Sequence, residues 1–152
     1  MIFTGCVQHS RVNDALEKSF KNIVPVDDVN HTLTLKLNPQ KENALEIGSN
    51  IELVVENISD RPIIFPTGFG IEIYTIENGN WVDVENRDKI LGDEISLIPG
   101  MMNFIGFEVE PMFSETKTNK FVRIVVVGEF LLDNAKTGAR VAAFIDLTLR
   151  PK

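Results

Sequence analysis

At 152 residues, with 43% hydrophobic and 24% charged side chains, the chain is long and apolar enough to bury one real core, which excludes wholesale disorder. A formal charge of −7 opposes any phosphate-neutralising surface, so nucleic acid is not an expected partner. No run approaches the roughly 18 consecutive apolar residues of a membrane-crossing helix, and a single cysteine, Cys6, excludes an internal disulfide or a multi-cysteine metal site.

Near the N-terminus, Phe3-Thr4-Gly5-Cys6 sets two small residues before the cysteine. In this it resembles the lipobox that ends a bacterial lipoprotein signal, with Phe3 where leucine is usual. The resemblance implies lipid on Cys6 and anchoring at the cell envelope. It also requires a basic and apolar stretch before Met1, because only Met1 to Phe3 precede the motif. The other reading makes Cys6 an incidental thiol in a frayed tail.

Val7 to Asn22 is mostly polar. It reads either as a short helix capped by Asn13, with Leu16, Phe20 and Ile23 on one face and Pro25 as its stop, or as a tether. Residues 1–31 are therefore expected to stand apart from a folded domain over 32–152, and deletion of Met1 to Asn22 is expected to leave that domain folded. Asp27, Asp28 and His31 lie close together but match no metal-ligand spacing, so neither a metal nor a cofactor is expected.

Leu33, Leu35 and Leu37 alternate with Thr32, Thr34 and Lys36, which predicts a first half-buried strand ended by Asn38-Pro39. Ala44 to Ile47 is a candidate short strand. In the next unit Ile51, Leu53 and Val55 form a buried face, with Glu52 and Glu56 on the other. Asn57, Ser59, Asp60 and Pro62 make a corner. Ile63 to Phe65, interrupted by Pro66 and Gly68, reads as a kinked or edge strand. Asn78-Gly79 between Tyr74 to Glu77 and Trp81 to Val84 predicts a hairpin with a type I′ turn, which needs positive φ at both central residues. Trp81 and Val84 do not share a period-two face, so either a bulge separates them or only one is core.

Glu85 to Lys89 reads as a charged loop, Ile95 to Ile98 as a short strand, and Pro99-Gly100 as a turn. Ile105, Phe107 and Val109 share a strand face. Phe121 to Leu132, with Ile124 to Val127 continuously apolar, predicts an interior strand covered on both faces, kinked at Gly128. Asn134 to Gly138 is a polar turn, and Val141 to Leu149 the last strand.

The result is an all-β chain with seven to nine short segments and frequent turns, the pattern of an antiparallel β-sandwich. Leu53 to Asn57 (LVVEN), the polar corner, Gly79-Asn80-Trp81 and Leu97 to Gly100 (LIPG) resemble bacterial immunoglobulin-like domains of lipoproteins and surface proteins. The likeness runs from Leu33 onward and extends to other sandwich families, including intracellular proteinase inhibitors of the BsuPI type. It implies a disulfide-free immunoglobulin-like sandwich. The implied role is a non-enzymatic binding or scaffold domain of a cell-envelope lipoprotein, with a protein or envelope component as partner. The alternative is a cytoplasmic inhibitor-like or chaperone-like module.

Catalysis finds no support in the residues. Nucleophilic catalysis by serine or cysteine needs an adjacent base, and the two histidines, His9 and His31, both lie in the N-terminal region read as poorly structured; no phosphate-binding or nucleophile-elbow motif is present. The pairs Glu52 with Glu56 and Asp83 with Glu85 read as solvated strand faces. Phe65, Phe69, Tyr74, Trp81 and Phe113 cannot all be assigned to one buried face by alternation, so they are the candidate partner-binding aromatics. Core packing is the other reading.

Overall fold

The computed structural model of this protein describes Phe20 and residues 23–38, 45–84, 93–108 and 117–151, with backbone alone at 67–68 and 107–108. Strands β1 (Asp28–Val29), β2 (Leu33–Leu37), β3 (Asn50–Asn57), β4 (Ile63–Phe65), β5 (Glu72–Glu77), β6 (Asn80–Asp83), β7 (Ile95–Leu97), β8 (Met102–Glu108), β9 (Lys120–Leu132) and β10 (Ala135–Leu149) form two sheets. Among the described residues the chain is all-β. The expected features at Cys6, Asn13, Leu16, Glu85 to Lys89, Val109 and Phe113 lie outside them.

The smaller sheet has the order β2-β3-β8, and its alternation is the one read from the sequence. Leu33, Leu35, Ile51, Leu53, Val55 and Ile105 are buried, while Glu52 and Glu56 share the opposite face. The larger sheet is built on the β9–β10 hairpin, whose other edge is divided. β5 pairs with β9 at Val122 to Val125, and β4 pairs with it at Glu129 and Phe130. Leu33, Leu53, Ile63, Leu97, Ile124 and Leu147 meet in one core between the two sheets. Burial of this kind is the main favourable term in folding.

Local chemistry explains the turns. Asn57 is fully buried, and its side-chain amide donates to the Arg61 and Leu97 carbonyls while its oxygen accepts from the Ser59 N–H and hydroxyl. A buried asparagine with every bond made fixes the corner between β3 and β4. At the β5–β6 hairpin, Asn78 and Gly79 have φ of 52° and 80°, the left-handed values a type I′ turn demands. A Cβ at Gly79 would meet no atom within 4 Å, so Gly79→Val is strained by conformation alone. It is expected to cost about 1–2 kcal/mol, and Gly79→Asn distinctly less, in urea-denaturation midpoints.

Several expectations need correction. β4 is not an edge strand: it lies between β9 and β7. The expected strand at Ala44 to Ile47 is an isolated parallel bridge, Glu46 to Arg150, and Ala44 lies outside the described residues. The last reversal occurs at Asp133-Asn134, with φ of 50° and 63°, rather than over Asn134 to Gly138. Aspartate and asparagine tolerate that conformation, and Gly138 serves instead in the irregularity between Lys136 and Arg140. The pairing is also not purely antiparallel, since β1 joins β10 in parallel.

That parallel strand belongs to the segment expected to stand apart. Phe20, Val24, Val26 and Val29 cover the outer face of the larger sheet, against Tyr74, Trp81, Val125, Val127 and Ala142. The Val24 N–H donates to the Phe20 carbonyl, and the Asp27 N–H to the Arg140 carbonyl. This cover resolves the Trp81 and Val84 puzzle. Both are buried, Val84 in the core between the sheets and Trp81 beneath Phe20. Deleting Met1 to Asn22 removes Phe20, so the emission of the lone tryptophan, Trp81, is expected to shift to the red while unfolding stays cooperative. Unchanged emission would show that Phe20 does not shield the ring.

Candidate functional site

β9 carries Arg123 inside its apolar series, and the registers align one row across the outer face of the larger sheet. Asp146 on β10 faces Arg123, Arg123 faces Tyr74 on β5, and Tyr74 faces Asp83 on β6. Arg123 is only 5% exposed. Its Nε and Nη2 donate to the two Asp146 carboxylate oxygens at 2.7 Å each, a bidentate fork. The guanidinium lies 3.8 Å from the Phe144 ring centroid, 4.5 Å from Trp81 and 5.0 Å from Phe20. Nη1 has no hydrogen-bond partner among the described residues. Aromatic faces attract a desolvated cation, so the rings offset part of the cost of burying it. This constellation pins the N-terminal segment onto the sheet.

Phe20 packs edge-on against Tyr74 at 5.1 Å between ring centroids. The Tyr74 hydroxyl donates to Glu72 Oε2 at 2.6 Å. Burial, that hydrogen bond and the negative charges of Glu72 and Asp83 together raise the phenol above its ordinary range. The sign is that of a raised folded-state value: the contribution is fully present below the unfolded value near 10 and is lost as pH rises through the folded one. Titration of this lone tyrosine by phenolate absorbance is expected to show no half-ionisation near pH 10, with the signal rising only further into alkali. Half-ionisation near pH 10 in the folded protein would contradict the burial.

A cleft of about 200 Å³ lies on the same sheet where β9 passes from β5 to β4, with Glu72, Glu129, Lys136 and Arg140 in its lining. The charges largely engage groups of the chain itself. Lys136 binds Glu94, Glu129 takes the Gly138 N–H, and the Arg140 guanidinium donates to the Pro25 carbonyl. Asp28 is similarly occupied, bonding His31 Nδ1 and both the N–H and the hydroxyl of Thr32.

The smaller sheet presents a different surface. Met102 and Phe104 on β8 are 54% and 56% exposed, beside the exposed Ile98 and Met101 of the preceding turn. β8 pairs with β3 without a break from Glu56↔Met102 to Asn50↔Glu108, and among the described residues no strand pairs with its other edge. The Asn57 N–H donates to the Met101 carbonyl, so Met101 faces β3. By antiparallel alternation Met102, Phe104 and Gly106 then direct their N–H and C=O groups to the open edge. The Phe104 N–H donates to Asn103 Oδ1 at 2.8 Å, a side-chain bond in place of a ladder bond.

Of the aromatics singled out from the sequence, the four among the described residues are buried rather than gathered in an exposed patch. Phe65 and Phe69 pack together in the core at 5.3 Å, and Tyr74 and Trp81 lie beneath Phe20. Both faces of the larger sheet are covered, which period-two alternation cannot reveal. Cys6 and Phe113 lie outside the described residues. Sequence reasoning missed Arg123 with Asp146, and Met102 with Phe104. An arginine within an otherwise apolar strand series is itself a signal, because such a charge needs a partner. No known protein family matches the chain, and neither does any curated protein.

Proposed function

We propose that the chain is a non-enzymatic binding or scaffold domain of immunoglobulin-like type, held at the cell envelope by lipid on Cys6, and that it engages a protein through the open edge of β8. Two sheets sharing one core and the Asn78-Gly79 hairpin support the immunoglobulin-like reading. The four residues ending in Cys6 support the anchor.

The observation that carries the binding role is the chemistry of β8. Strands at sheet edges are normally blunted by brevity, charge or proline. β1, β6 and β7 are two, four and three residues long, and β2 carries Lys36. β8 runs for seven residues without proline, and its one charge is the terminal Glu108. An apolar strand with outward backbone groups fits a protein segment that adds as another strand.

A photo-reactive residue placed at Met102 in cells expressing the complete native gene is expected to form adducts, whereas one at Lys36 is not. Absent adducts, or equal ones at both positions, would sink the edge reading. In the same cells Cys6 is expected to carry lipid mass, and Cys6→Ser to leave the membrane fraction. Cys6 without added mass would remove the anchor.

A further inference from the structure

We infer that the strand added to β8 is β8 of a second copy of this chain, paired antiparallel about a two-fold axis at Phe104; this rests on the open edge being a binding surface. A residue can sit on such an axis as a hydrogen-bonded pair with itself only if its N–H and C=O both face the open edge, and Phe104 meets that condition. The axis sets Phe104 against Phe104 of the partner, and Met102 against Gly106 of the partner, all on the outer face.

That pairing is complementary in size. Met102 is large and exposed, while Gly106 leaves space beside it: a Cβ built there comes no closer than 3.6 Å to Asn50 Oδ1. Charge does not oppose it either, since Glu108 falls opposite Gly100 rather than its own copy. An axis at Met102 would leave little overlap, and one at Gly106 would set Phe104 against Glu108. With the axis at Phe104 the two small sheets become one, in the order β2-β3-β8-β8-β3-β2. The Asn103 side chain, which closes the Phe104 N–H in the single chain, gives way to the partner's carbonyl.

A two-fold interface uses the same patch on both copies and closes at the dimer rather than growing into a fibre. A strand edge and two side chains per copy make an interface smaller than about 1,000 Å², so the dimer is weak and concentration-dependent.

Sedimentation of the purified full chain through a dilution series is expected to show a mean mass rising from 17.1 kDa toward twice that value. Gly106→Leu fills the hollow that receives Met102, and Phe104→Lys sets like charges against each other on the axis. Both are expected to keep the parent's circular dichroism and cooperative unfolding yet remain at the single-chain mass. In a Cys6→Ser background, Phe104→Cys is expected to yield a covalent dimer on mild oxidation and Lys36→Cys none. A purified chain that stays monomeric, or a dimer that both Gly106→Leu and Phe104→Lys leave intact, would overturn self-pairing. Adducts at Met102 to a protein of another mass, with a monomeric purified chain, would overturn the second copy while leaving the edge as a binding surface. No adduct at Met102 and no dimer would remove both.

Discussion

Asp146→Ala is expected to cost the fold about 3 kcal/mol, the lower end of the range for breaking a buried ion pair. Arg123 has a side chain only 6% exposed, and Asp146 accepts the hydrogen bonds of both its Nε and its Nη2. Removing the carboxylate leaves a buried cation that, unlike a buried lysine, does not readily shed its charge. The rings of Phe144, Trp81 and Phe20 still attract it, and Asp146 is 34% exposed, so water can enter the vacated space. Those two facts set the value at the low end. Arg123→Met should be milder, below about 1.5 kcal/mol, because it removes the charge whose burial is costly and leaves Asp146 within reach of water. Urea midpoints at unchanged slope measure both. Equal losses would show that packing of the arginine stem, rather than the uncompensated charge, is what matters.

Gly128→Val is expected to cost about 3 kcal/mol or more, and Gly128→Ala about 2 kcal/mol, through overpacking. A Cβ at Gly128 would stand 2.5 Å from Ile63 Cγ2, 2.9 Å from Phe65 Cε1 and 3.1 Å from the Ile64 carbonyl oxygen. Ile63 and Phe65 are completely buried, and Ile64 belongs to a strand paired on both sides, so none of the three can yield cheaply. Gly128 therefore lets β4 close onto β9. The sequence predicts a kink here, yet Gly128 stays in register opposite Val141 within an unbroken run of pairs. Ile63→Ala in the Gly128→Ala background should recover part of the loss, a coupling that distant residues would not show. Strictly additive losses would place the strain elsewhere.

If both predictions hold, the two faces of the molecule serve different ends. The outer face of the larger sheet is closed over Arg123 by the N-terminal segment, while among the described residues no strand pairs with the apolar outer edge of β8. The proposed binding role belongs to the second.

What the sequence by itself determined were the features set by neighbours along the chain. The alternations at Leu33 to Leu37 and at Ile51 to Val55, the corner at Asn57 and the left-handed pair Asn78-Gly79 were legible because period, side-chain bonding and φ are local properties. The tertiary structure alone decided the rest. That Trp81 and Val84 are both core follows from the burial of both faces of their sheet, and the outer cover comes from Phe20, far away in sequence. That β4 is interior, and that Gly128 makes room for it, follows from β9 sharing one edge between two partners. The Arg123 and Asp146 pair is set by the β9–β10 register, and the open edge of β8 by which strands reach it. Residue type records what a position prefers, but which surface covers it is decided by pairings between distant segments, and these leave no period in the chain.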